Sequence, residues 1–110
     1  ATGPGLEIRP PGRDEWLQVA PSPGQIVVDS GDMLSRLTNG VIPATAHRVV
    51  NPAAGDDAHR YSLPFFAHPR PDCDLSALPR FVSEERPRRH PPITAGGYLA
   101  ERLREIGLVS

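Results

Sequence analysis

Fourteen prolines and ten glycines are spread along 110 residues, about twice the combined share of roughly 12% in ordinary proteins. This constrains the fold more than any other feature. A proline inside a helix removes a backbone donor and collides with the preceding turn, costing about 3 kcal/mol, so a chain interrupted this often cannot build a long-helix bundle or a coiled coil. Short strands joined by turns remain, and the length allows one domain at most.

Charge and cysteine narrow the partners. Twelve basic residues, all arginine, stand against thirteen acidic ones for a formal net charge of -1, so no global positive field holds nucleic acid or an anionic membrane surface. The absence of lysine fits a GC-rich coding sequence more easily than selection for bidentate contacts and carries no functional argument. The single cysteine, Cys73, excludes an intramolecular disulfide and a multi-cysteine zinc site and suits a reducing, cytoplasmic interior. No apolar run approaches the ~18 residues of a membrane span. The opening Ala1-Thr2-Gly3-Pro4-Gly5 is neither a basic leader nor an initiator methionine, and the chain is expected to continue a longer polypeptide.

Along the chain, Leu6–Arg9 and Trp16–Val19 flank Pro10-Pro11-Gly12-Arg13-Asp14, which predicts a hairpin with an exposed loop. The β-branched run Gln25–Asp29 predicts a strand buried on at least one face. Helical spacing of Met33, Leu34 and Leu37 follows, with Asp32 as N-cap and Asn39-Gly40 as the stop. Thr45–Val50 alternates like a strand and is closed by turn formers over residues 51–57, where Asp56-Asp57 reads as a loop tip. A further strand is expected over Arg60–Phe66. Residues 67–93 are proline-broken and read as an irregular, surface-hugging connection. A final helix from about Ala95 to Ile106 carries the apolar stripe Leu99, Leu103 and Ile106, with Thr94 as N-cap and Gly107 as stop. The chain thus divides into 1–66, 67–93 and 94–110.

Two strands bear chemistry. Alternation places His47 on one face with Val49, and Ala46, Arg48 and Val50 on the other. A lone strand histidine is ordinarily a hydrogen-bonded structural residue, so His47 needs company. In Arg60–Phe66 the odd positions Tyr61, Leu63 and Phe65 form an apolar face, which sets Arg60, Ser62, Pro64 and Phe66 on the opposite one. If both faces are covered, a guanidinium is held inside, and it must be paired. With no acidic mate evident in sequence, Arg60 and Ser62 have the shape to receive a ligand carboxylate, the fork bidentately and the hydroxyl from the side. The alternative is an edge strand with Arg60 in water. His59, His68 and His90 read as surface residues. Cys73, between Asp72 and Asp74, is a poor nucleophile, and Arg86–His90 reads as a solvated linker. Trp16 is expected to pack in the sheet.

Asn39-Gly40, then Thr45-Ala46-His47-Arg48-Val49-Val50-Asn51-Pro52, then Arg60-Tyr61-Ser62-Leu63-Pro64-Phe65-Phe66 resembles the C-terminal half of the isopenicillin N synthase-like branch of the Fe(II)/2-oxoglutarate-dependent dioxygenases. Gly31-Asp32-Met33-Leu34, Gly3-Pro4-Gly5-Leu6-Glu7-Ile8 and Tyr98-Leu99-Ala100-Glu101-Arg102-Leu103 resemble it as well, so the likeness spans nearly the whole chain. It implies a mainly β fold, a double-stranded β-helix or jelly roll of the cupin kind, here its C-terminal half with a C-terminal helix. It implies a 2-His-1-carboxylate iron site. By position His47 resembles the distal histidine ligand, Arg60 and Ser62 the pair that anchors 2-oxoglutarate, and Phe66 a residue lining the substrate pocket.

The family's His-x-Asp pair lies ~50–60 residues before the distal histidine, which places it upstream of residue 1; no His-x-Asp occurs within the 110 residues. The implied whole is a cytoplasmic non-haem iron oxidoreductase, a dioxygenase that couples 2-oxoglutarate decarboxylation to oxidation of a small substrate by dioxygen, hydroxylation being the default. The segment alone is expected to be inactive and to need the N-terminal portion of the same protein. Two alternatives stand: an isopenicillin N synthase-like oxidase that uses no 2-oxoglutarate, and a non-catalytic jelly-roll binding module or pseudoenzyme.

Overall fold

A computed structural model describes residues 1–20, 22–51 and 59–109. The chain forms two compact units, Ala1–Asp29 with Thr45–Phe65, and Ser30–Ala44 with Phe66–Ser110. The segment 30–44 thereby groups with the C-terminal part of the chain and not with the strands on either side of it. Among the described residues no helix is long and apolar enough to cross a membrane.

The first unit is a three-stranded antiparallel sheet of order β2-β1-β3, with β1 at Leu6–Arg9, β2 at Leu17–Gln18 and β3 at Ala46–Val49. The predicted hairpin forms, with Glu7 opposite Gln18 and Ile8 opposite Leu17. Its loop turns where the Arg13 amide donates to the Pro10 carbonyl (3.1 Å) and Gly12 takes a positive φ of 76°, a conformation glycine adopts freely. Strand β3 pairs with the other edge of β1, placing His47 opposite Ile8 and Arg48 opposite Glu7. The period of two then sorts the sheet. Leu6, Ile8, Leu17, His47 and Val49 share one face. On the other, Arg48 pairs with Glu7 at 2.7 Å, and the guanidinium groups of Arg48 and Arg9 lie 4.2 and 5.4 Å from the centre of the Trp16 ring, a cation–π arrangement. Just before β1, the Gly5 carbonyl accepts from the Val50 amide. The Val50 oxygen lies 2.5 Å from where a Cβ on Gly5 would sit, and Gly5 has φ +111°, so only glycine fits this close approach.

Two expected strands do not form. Over Gln25–Asp29 no ladder is present, and Ile26 and Val28 are 86% and 82% exposed. Over Arg60–Phe66 the pairing reduces to one residue, the Tyr61 amide donating to Thr2 Oγ1 (2.8 Å) and its carbonyl accepting from the Thr2 amide (2.9 Å). Leu63 and Phe65 stand in solvent. β-branched content and alternation report an extended backbone with two unlike faces, but a strand also requires a neighbour to complete its hydrogen bonds, and the described residues supply none. The turn expected over residues 51–57 and the Asp56-Asp57 tip fall almost wholly on residues 52–58, outside the described residues.

The second unit contains α1 at Asp32–Leu37 and α2 at Ala95–Glu105, with a single 3-10 turn at Pro79–Phe81. Gly31, not Asp32, is the N-cap of α1, so Asp32 is its first helical residue. Thr94 caps α2 as expected, its hydroxyl accepting from the Gly97 amide at 3.1 Å. Both helices end the same way: Asn39 and Gly40 donate back to Arg36 and Ser35, and Gly107 and Leu108 to Arg104 and Leu103, the paired reverse bonds that satisfy orphan carbonyls at a helix end.

The buried cluster is Leu75, Ala95 and Tyr98, with Met33, Leu37, Cys73 and Ile93 against it. Against the expectation that segment 67–93 hugs the surface, Leu75 is 1% exposed. It is clamped there by bonds from the Leu75 amide to Ile93 and from the Ala95 amide to Cys73. Proline removes donors only at its own positions, so the amides between the prolines remain free to bind. On α2, Ala95 and Tyr98 take the interior while Ile106 is 68% exposed, which moves the buried stripe off the predicted Leu99, Leu103 and Ile106. On its wetter side Arg102 pairs with Glu105 three residues on, at 2.6 Å. The guanidinium groups of Arg36 and Arg102 lie about 5 Å from the Tyr98 ring centre. Burial, together with the nearby Asp32 carboxylate, raises the Tyr98 hydroxyl above its ordinary pKa.

Asn39 joins three segments of this unit. It is 1% exposed and holds φ 51°. Its two amide hydrogens reach the carbonyls of Phe81, Arg86 and Pro87 at 3.0–3.3 Å, while its Oδ1 accepts from the Arg89 amide at 3.1 Å. Asn39→Ala strands these buried groups and puts a Cβ-bearing residue without a compensating side chain in the left-handed region. It is expected to lower the stability of the full-length protein by about 2–4 kcal/mol, read from the denaturant midpoint. Asn39→Gly relieves the backbone and recovers only a minor part; equal stability of Asn39→Gly and wild type would show the side-chain bonds to be dispensable.

Candidate functional site

His47 sits in β3 on the face shared with Leu6, Ile8, Leu17 and Val49, opposite Ile8. Its side chain is 55% exposed, and its Nδ1 lies 2.9 Å from Asp29 Oδ2. An ionised carboxylate only accepts, so it favours a hydrogen on the ring nitrogen that faces it, and in a neutral imidazole of that form the lone pair falls to Nε2. Among the described residues Nε2 has no hydrogen-bond partner. The ring therefore offers one oriented nitrogen donor on an uncovered sheet face, the donor type that suits a transition metal.

Arg60 lies against the start of the chain. Its Nε donates to the Pro4 carbonyl at 2.8 Å, and its Cγ lies 3.9 Å from where a Gly3 Cβ would be. Anchoring Nε to backbone holds the guanidinium while leaving the two terminal nitrogens to another acceptor. Among the described residues no carboxylate pairs with Arg60. Ser62 is exposed in the same extended segment, two residues on, its hydroxyl without a partner among the described residues. The first unit thus holds His47, Arg60 and Ser62. Phe66, 75% exposed, belongs to the second unit, where its ring lies 6.3 Å from His68.

The remaining histidines do not gather. His59 is exposed beside Tyr61, with ring centres 6.3 Å apart, and His90 is exposed. Among the described residues no group of three or more His, Cys, Asp or Glu side chains converges on a metal position. Cys73 Sγ points at the Asp74 carbonyl, and the Asp74 carboxyl is held below its ordinary pKa by hydrogen bonds from the Ser76 amide and hydroxyl. Sequence reasoning missed Asp29, which it treated as the end of a strand. Eighteen positions and the helix α1 separate it from His47, and no periodicity links residues across such a connection; an acidic residue at the end of an apolar run was the only signal.

Residues 2–69 match the 2OG-Fe(II) oxygenase superfamily. A "2-oxoglutarate-Fe(II) type oxidoreductase" of Aspergillus fumigatus is 39% identical over 100 residues, covering 91% of this chain and 29% of that protein. Among solved structures, a Caulobacter crescentus protein assigned to the 2OG-Fe(II) oxygenase family superposes with a TM-score of 0.82 at 47% identity, over 94% of this chain and 34% of the other. A full-length Neurospora crassa protein, solved in complex with alpha-KG, superposes with a TM-score of 0.75 at 30% identity, over 94% and 32%. The chain therefore spans about a third of the length of the relatives it matches.

Proposed function

Because the chain belongs to the 2OG-Fe(II) oxygenase superfamily, we propose that it is the C-terminal part of a non-haem Fe(II) enzyme that couples decarboxylation of 2-oxoglutarate to oxidation, by default hydroxylation, of a small organic substrate. The spacing of Asn39-Gly40, His47 and Arg60-Tyr61-Ser62 supports the isopenicillin N synthase-like branch and a jelly-roll core. One observation carries the reading: the first unit holds both an imidazole, His47, whose Nε2 has no hydrogen-bond partner among the described residues, and a guanidinium, Arg60, whose only hydrogen bond among the described residues is from Nε to the Pro4 carbonyl.

In this reading His47 Nε2 is one ligand of Fe(II), and the other two, a histidine and an aspartate, come from the portion of the polypeptide upstream. Bound there, Fe(II) supplies the centre at which dioxygen is reduced, two electrons coming from the oxoacid and two from the substrate. Arg60 receives the distal carboxylate of 2-oxoglutarate on its terminal nitrogens, Ser62 donates to the same group, and Phe66 lines the substrate pocket. The two charge-assisted bonds of the fork fix the oxoacid's orientation as well as its affinity. The upstream portion also covers the apolar side chains of Ile26, Val28, Leu63 and Phe65, which are 82–97% exposed in the chain by itself, and completes the pairing of both extended segments. A reducing, cytoplasmic setting keeps both Fe(II) and the lone Cys73 thiol reduced.

Oxygen uptake by the full-length protein with Fe(II) tests the reading. Uptake is expected only with added 2-oxoglutarate, one equivalent of carbon dioxide being released per dioxygen consumed. Uptake without it would place a carboxylate of the substrate itself on Arg60 and make the enzyme an oxidase. Failure to bind Fe(II) at all would make it a binding module.

A further inference from the structure

Among the described residues, Asp29 is the side chain whose charged group lies against the His47 ring. We propose that Asp29 is a positioning residue that holds His47 in the Nδ1–H form with Nε2 directed at the metal. The proposal rests on the reading of His47 as an iron ligand.

The geometry is that of a carboxylate behind a ligating imidazole. Asp29 Oδ2 lies 2.9 Å from Nδ1, with side chains 33% and 55% exposed. At that exposure the pair contributes little to stability, since partly solvated ion pairs are worth about 0–1 kcal/mol. Its consequence is orientational. A neutral imidazole in water exchanges between two forms, and its χ2 rotation is broad; only one form presents a lone pair at Nε2. An acceptor at Nδ1 selects that form and restrains the ring. The backbone does not substitute for this contact, because segment 25–29 has no ladder to β3 among the described residues. The carboxylate is the connection that sets where the ring points.

The test uses the full-length protein without oxygen, titrated with Fe(II) alone, and compares Asp29→Leu, Asp29→Asn and His47→Ala. Leucine matches aspartate in shape but offers no acceptor, and is expected to weaken Fe(II) binding by about 10–100-fold. Asparagine keeps an acceptor oxygen for Nδ1 and is expected to stay within about threefold of wild type, rescuing the loss and excluding a folding defect at this position. Nitrogen-15 spectra of the metal-free protein give a readout independent of turnover: His47 carries its hydrogen on Nδ1 in wild type and Asp29→Asn, and becomes a mixture of both forms in Asp29→Leu. Wild-type affinity and an unchanged His47 spectrum in Asp29→Leu, with binding lost in His47→Ala, would overturn the role of Asp29 alone. Equal losses in Asp29→Leu and Asp29→Asn would overturn it as well. Undiminished binding in His47→Ala would overturn the ligand reading itself, and the role of Asp29 toward the metal with it.

Discussion

His47→Ala in the full-length protein is expected to weaken Fe(II) binding by more than about a hundredfold and to reduce 2-oxoglutarate-dependent oxygen uptake to background. Loss of an outer-shell partner alone typically costs 10–100-fold, and removing a ligand outright leaves a facial site with two protein donors, too few to hold a labile ion. The fold should survive. The His47 side chain is 55% exposed, and substitutions at such positions usually change stability by no more than about 0.5 kcal/mol. A thermal melt beside the metal titration separates the two effects. Near-wild-type iron affinity with an unchanged melt would make His47 a structural residue of β3.

Arg60→Lys is expected to weaken 2-oxoglutarate binding by roughly 5–150-fold, about 1–3 kcal/mol, while changing Fe(II) affinity by no more than about threefold. Lysine keeps the positive charge, so a pure point-charge role would be preserved. What it loses is the division of labour across the guanidinium, in which Nε is fixed by the Pro4 carbonyl and the two terminal nitrogens are left as a planar pair for an acceptor. An ammonium that takes over the bond to Pro4 has moved away from the ligand, and one that reaches the ligand has released its anchor. The check is a titration of 2-oxoglutarate into the iron-loaded protein. Unweakened binding would leave Arg60 as a surface residue tying residues 60–62 to the N-terminal segment.

Several features were legible because they are local. Pro10-Pro11-Gly12 sets a turn within a few bonds of itself, and the flanking apolar pairs then meet as β1 and β2. The alternation of Thr45–Val50 placed His47 with Val49 before any neighbour was known, and β1 supplied the rest of that face. Asn39-Gly40 and Gly107 ended their helices because residues that tolerate positive φ are needed there. The arginine and hydroxyl of Arg60-Tyr61-Ser62 could be singled out as a candidate carboxylate receptor because alternation puts them on one face and a guanidinium held inside needs a mate.

Other features depended on residues far away in the chain. Gln25–Asp29 and Arg60–Phe66 carry strand composition, yet pairing is a property of two segments, and the described residues offer neither of them a ladder partner. Leu75 became the most buried apolar side chain among the described residues because amides spaced between prolines clamp its segment to the start of α2. Asn39, recognisable in sequence only as a helix stop, is a buried junction whose partners lie 42 to 50 positions onward. The sequence by itself determined turns, helix ends and strand faces, and it singled out His47, Arg60 and Ser62 as the residues on which the proposed site rests. Tertiary structure alone decided which extended segments are paired, which side chains fill the interior, and that the carboxylate of Asp29 stands behind the ring of His47. The physical reason is range: backbone conformation and facial alternation arise from neighbours within about four residues, whereas hydrogen-bond partnership and burial exist only once distant parts of the chain meet.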